Sequence, residues 1–182
     1  YNIISRKNAS YDGSTMIARN DDSGANGFTP KIIVILKEQK ENIKQFISHL
    51  EIDLPDHPMS YTAMPNAVKG KEFGRQGINE ENIAMTATET ITQIQDIRAD
   101  PLVEYDQENN IPGGIGEEDI VYIVLPYIHS AREGVERLGQ LLEKYGTYEM
   151  NGIAFQDQNE IWWLETIGGH HWIAKKFQMI TM

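Results

Sequence analysis

The 182-residue chain contains no cysteine. Disulfides are therefore excluded, which fits a reducing compartment, and a cytoplasmic location is the expectation. Long hydrophobic runs are missing too. Nothing approaches the ~18 apolar residues of a membrane-crossing helix, and no signal-peptide pattern is seen. Positive charge is scarce: 16 Lys and Arg against 27 Asp and Glu leave a formal net charge of −11. That balance argues against nucleic acid or an anionic membrane as partner, both of which call for basic patches. Gly113, Gly114 and Gly116 have neither the Gly-Lys-Ser/Thr ending nor the dinucleotide spacing, so they make no phosphate loop.

What is present is the composition of one globular domain, 40% hydrophobic and 24% charged, long enough to bury a core. Ile3 and Ile4 begin a short strand, Tyr11-Asp12-Gly13 makes a turn, and Thr15 to Ala18 pairs back as a second strand. Lys31 to Leu36 is a β-branched run of buried-strand type. Lys37 to His49 reads as surface loop or weak helix. Glu51 to Leu54 alternates, and Pro55 to Gly77 reads as loop with short extended pieces, because Pro55, Pro58 and Pro65 interrupt it. Gly77 and Asn79 are expected in a turn, followed by a strand over Ile83 to Thr88.

Further along, Glu117-Glu118-Asp119 opens a helix with acids at its positive end. Pro126 should kink or break that helix. A second helix, Ala131 to Tyr145, carries Ser130 and Glu133 as a capping box, Val135, Leu138, Leu141 and Leu142 on one face, and Gly146 as its stop. The last third reads as hairpins: Gly152 to Phe155, Glu160 to Glu165, and Trp172 to Phe177. Asp106, Glu108, Asn110 and Glu117 imitate a calcium loop, but Ile111 stands where that loop needs glycine, so a solvated acidic loop is expected. His170 and His171 point to opposite faces of a strand and lack a third ligand at suitable spacing, so no metal is assigned.

The most informative stretch runs from Ala9 to Asp22. Arg19-Asn20-Asp21-Asp22 ends the second strand with a cation and polar acceptors, at the rim that faces the start of the first strand. The run Asp12-Gly-Ser-Thr-Met-Ile-Ala-Arg-Asn-Asp-Asp22 resembles the N-terminal hairpin of the cysteine dipeptidases of N-terminal-nucleophile (Ntn) type, peptidase family C69. These are distant relatives of penicillin V acylase and the conjugated bile salt hydrolases. The segment Gly77-Ile-Asn-Glu80, the run from Gly114-Ile-Gly-Glu-Glu-Asp-Ile120 through Glu136-Arg-Leu-Gly139, and Ile161-Trp-Trp-Leu-Glu-Thr-Ile-Gly-Gly-His-His-Trp172 are similar to the same family. The resemblance covers Ile3 to about Lys176.

That resemblance implies an α+β fold, an αββα sandwich of two antiparallel sheets covered by helices. Residues 1–182 would be a single Ntn-type domain, the N-terminal part of a longer chain. It implies hydrolysis of dipeptides by an N-terminal Cys, which would fall just before Tyr1, with its own α-amine as base. Arg19 and Asp22 are the expected catalytic residues, Arg19 lowering the thiolate pKa and Asp22 holding the amine. Asn79, Thr88 and Glu89 are expected at the substrate: Thr88 as an oxyanion donor, Glu89 on the dipeptide's free α-ammonium. No metal or organic cofactor is needed, the partners are dipeptides, and a homo-oligomer is compatible. Lacking the nucleophile, the chain as it stands is expected to be inactive. The rivals are an inactive Ntn-fold domain that binds peptides or assembles with partners, and an acylase acting on N-acyl substrates.

Overall fold

A computed structural model describes residues 2–20, 34–36, 42–44, 47–65, 74–88 and 99–177. The fold is α+β. β1 (Asn2–Ser5) and β2 (Met16–Arg19) form an antiparallel hairpin. β3 (Val34–Leu36), β6 (Tyr61–Pro65), β7 (Gly74–Asn79), β8 (Ala84–Thr88), β9 (Gly152–Gln156), β10 (Ile161–Ile167) and β11 (His171–Lys176) make a seven-stranded antiparallel sheet in the order β11-β10-β9-β8-β7-β6-β3. β4 (Asn42–Lys44) and β5 (Glu51–Asp53) pair as a separate hairpin.

Two stretches correct the sequence reading. The stretch expected to be surface loop or weak helix contains β4, and Pro55 to Gly77, expected as loop with short extended pieces, supplies β6 and the start of β7 in the main sheet. Pro65 ends β6 where the register shifts against β7, a place where a missing N–H is tolerated. Gly77 and Asn79 belong to β7, and the turn is one step later, closed by Asn82 in the left-handed region (φ 59°).

The helices match their local signals. α1 (Glu117–Val124) runs into a 3-10 turn at Leu125–Tyr127, where Pro126 stops it. α2 (Ala131–Tyr145) is capped by the Ser130 hydroxyl, which accepts the Glu133 N–H at 3.1 Å, while Glu133 reaches back to the N–H of His129 at 2.7 Å. Gly146 ends it at φ 69°, a conformation only glycine adopts freely. Arg137 donates to the Ile123 carbonyl at 3.0 and 2.9 Å, satisfying an orphan acceptor in the last turn of α1.

Both helices lie on one face of the sheet, α1 against β7 and β8, α2 against β9 to β11. Met85, Ala87, Ile153 and Phe155 point into that interface with Ile120, Val124, Leu138 and Leu142, and all are buried. Thr86 and Ala154 alternate to the other face, which the β1–β2 hairpin partly covers. Among the described residues no helix is long and apolar enough to cross a membrane.

Asp100 fastens the β10–β11 turn. Its carboxylate accepts the N–H groups of His170 and His171 at 2.7 and 3.1 Å and faces both rings through Nδ1, at 2.9 and 2.6 Å. Burial alone would push this carboxyl up, but those hydrogen bonds outweigh it and hold Asp100 well below the usual range. His170 in the turn and His171 at the start of β11 thus share one carboxylate. Asp106 likewise accepts from Glu108 and Asn109 in its own exposed turn.

Candidate active site

The hairpin is built so that its open end meets the middle of the sheet. Ser14 donates its N–H to the Asp12 side chain at 3.0 Å, and Gly13 takes φ 75°, which closes the turn. The β1–β2 register then sets Asn2 directly opposite Arg19. The end of β2 therefore stands beside the start of the described chain.

Three contacts fix the hairpin on β8 and β9. Thr86 donates to the Asn2 amide oxygen at 3.2 Å. Gln156 Nε2 lies 2.8 Å from both the carbonyl and the hydroxyl oxygen of Thr15, and the Thr15 hydroxyl donates to the Asp157 carbonyl at 2.9 Å. A cleft of about 290 Å³ runs along the hairpin, between Met16 and Ile17 on one side and Thr62, Met64, Gln76 and Ile78 on the other. Arg19 and Thr88 do not line it.

Arg19 connects the two faces of the sheet. Its guanidinium donates to the Ala87 carbonyl at the end of β8 and pairs with Glu117 Oε1 at 3.0 Å. Hairpin and α1 lie on opposite faces, so the side chain passes the end of β8 to reach the helix. Both partners are withdrawn from solvent, with 7% and 3% of their side chains exposed. Glu117 is the first residue of α1, and its backbone N–H is donated to the Glu149 carboxylate.

Other acids crowd the same helix terminus. Glu118 accepts the Tyr148 hydroxyl at 2.6 Å. Burial, and then that hydrogen bond, push the Tyr148 phenol above its ordinary range. Asp119 is fully buried, and among the described residues neither of its oxygens has a hydrogen-bond partner. Burial first, and the Glu118 charge second, push its carboxyl up to about 7. Asn151, which precedes β9, is also fully buried, and among the described residues both its amide atoms are unpartnered.

Of the residues expected at the site, Arg19 and Thr88 come together. Thr88 is buried, ends β8 opposite Gly152, and directly follows the carbonyl that Arg19 caps. Asp22 and Glu89 lie outside the described residues. Asn79, expected at the substrate, is engaged inside the fold. Its amide donates to the Leu125 and Ile128 carbonyls at 2.9 and 2.8 Å and accepts from the N–H groups of Glu81 and Ile83 at 3.1 and 3.0 Å. Two donors and two acceptors are the whole capacity of the group, so none is left for a substrate. It also sits beside Ile83, five residues or ~17 Å along the strand from Thr88. Glu117 was not anticipated at the site, because an acid in a first helical turn already has an explanation in the helix dipole.

The model of a family described as "Peptidase family C69" matches residues 1–178. A protein named "Dipeptidase" from Bifidobacterium longum (strain NCC 2705) is 59% identical over 182 residues, covering 96% of this chain and 34% of its own length. A "Probable dipeptidase A" of Streptococcus pyogenes serotype M3 (strain SSI-1) is 55% identical over 179 residues, covering 96% of this chain and 37% of its own. The chain thus spans about a third of the length of these curated relatives. Among solved structures, penicillin V acylase from Agrobacterium tumefaciens superposes with a TM-score of 0.56 at 11% identity, over 96% of this chain and 49% of the acylase. At that identity the likeness is one of fold.

Proposed function

The chain belongs to peptidase family C69, and from that premise we propose that it serves a cysteine-type dipeptidase, which splits a dipeptide into two amino acids by acyl transfer. The observation that carries the reading is the hairpin register, which sets Arg19 opposite Asn2 and against the end of β8. A nucleophile ahead of Tyr1 would enter this rim. The names of the relatives support the substrate class.

In this scheme a cysteine thiol just before Tyr1 gives its proton to its own α-amine, and the thiolate sulfur attacks the peptide carbonyl carbon. The carbonyl electrons move to oxygen, where the Thr88 hydroxyl donates to the oxyanion. Collapse breaks the C–N bond, and the α-ammonium returns the proton to the departing amino group. Water then hydrolyses the thioester, with the amine again as base. Arg19 favours the thiolate through its charge, Asp22 holds the α-amine, and Glu89 pairs with the dipeptide's own ammonium. The scheme calls on no metal or organic cofactor. Residues 1–182 would be a single Ntn-type domain, the N-terminal part of a longer chain.

The test uses the full-length protein on free and N-acetylated dipeptides. Release of amino acids from free dipeptides is expected, and Glu89→Gln should raise KM for them about tenfold while sparing blocked substrates. Preference for the N-acylated compounds would replace the dipeptidase reading with that of an acylase.

A further inference from the structure

The Arg19–Glu117 pair calls for a reason beyond stability. Two ions buried at 3.0 Å rarely make a fold more stable than an apolar pair of the same volume would. What the ions add is a guanidinium held in one orientation, with its charge partly offset. The surroundings determine that orientation from both ends. The Ala87 carbonyl receives Arg19 from the sheet, and Glu149 holds the backbone N–H of Glu117, which places the helix terminus. Among the described residues, Glu118 and Asp119 on α1, and Tyr148 and Glu149 ahead of β9, are further titratable groups around this terminus.

Resting on the dipeptidase reading, we infer that Glu117 is a positioning residue of the reaction. It aims the Arg19 guanidinium at the rim and offsets part of its charge, so that the pair, and not Arg19 alone, sets the ionisation of the nucleophile. Glu117 touches neither substrate nor nucleophile; it acts through Arg19.

The experiment is the pH profile of kcat/KM for a free dipeptide in the full-length protein, wild type against Glu117→Gln. Glutamine keeps an acceptor for Arg19 and removes the charge. Arg19 then acts undiluted, and the acid limb is expected to move to lower pH by about one unit, with kcat reduced several-fold as the guanidinium loosens. An acid limb that stays in place, with only the melting temperature lowered, overturns the inference and leaves the dipeptidase reading standing. A wild-type protein that cleaves no dipeptide overturns both. If Glu117→Gln does not fold, Glu117→Asp, which keeps the charge and shortens its reach to Arg19, decides. A kcat lowered several-fold with KM unchanged supports the inference, and wild-type kcat with only the melting temperature lowered overturns it.

Discussion

Asp119 shows how one buried acid shapes the behaviour of the whole protein with pH. Its carboxyl is pushed up to about 7, by burial and then by the charge of Glu118, from an ordinary 3.8. The folded state therefore keeps a proton that the unfolded chain releases. Stability from this group is full below about pH 4 and falls as pH rises through about 7, a loss of about 4 kcal/mol on the ordinary conversion. Asp119→Asn removes the titration. In urea unfolding of the full-length protein the variant should gain about 4 kcal/mol over wild type at pH 8 relative to the gap at pH 4. The orphaned amide that asparagine leaves is the same at both pH values and cancels from that difference. An equal gap at pH 4 and pH 8 would mean that Asp119 is ionised in the folded protein.

Between elements, Asn79 ties the β7–β8 turn to the 3-10 turn that follows α1. Asn79→Ala leaves the carbonyls of Leu125 and Ile128 without their donor and two N–H groups without their acceptor. A loss of about 3–5 kcal/mol is expected in denaturant unfolding, and a loss under about 1 would show that water replaces the amide. The helices were legible in the sequence because their signals are local: Ser130, Glu133, Pro126 and Gly146 each act within a turn of their own position. β4, β6 and β7 were not, because the polar run from Lys37 to His49 and the breakers Pro55, Pro58 and Pro65 speak locally for loop, while the pairing that makes these strands comes from elsewhere in the chain. The turn after β7 was misplaced by one step for a related reason. Asn79 looked like a turn residue, and it does organise the turn, but from inside the strand. The site divides the same way. Arg19 could be found from the hairpin, whereas its partner Glu117 lies 98 residues away on a helix that explains its acid without it.

At the scale of the molecule, β8 is the structural centre. It is the fourth of seven strands, paired on both sides, with α1 on one face and the hairpin on the other, and all five of its residues are buried. The rim where Arg19 and Thr88 meet is the end of this strand, so the proposed chemistry stands on the part of the fold with least freedom to move. The hairpin is different. Ile3 and Met16 are exposed, its own ladder is two strands wide, and it is fastened to the sheet mainly by the side chains of Asn2, Thr15 and Arg19. Native-state hydrogen exchange of the full-length protein should therefore find the β8 and β9 amides opening only with global unfolding, while the β1–β2 amides open at lower cost. If the hairpin amides exchange together with those of β8, the Arg19–Glu117 bridge joins them into one cooperative unit. Glu117→Gln would then separate the two classes, and a hairpin that stayed coupled to β8 in that variant would place its anchor at Thr15 and Gln156 instead.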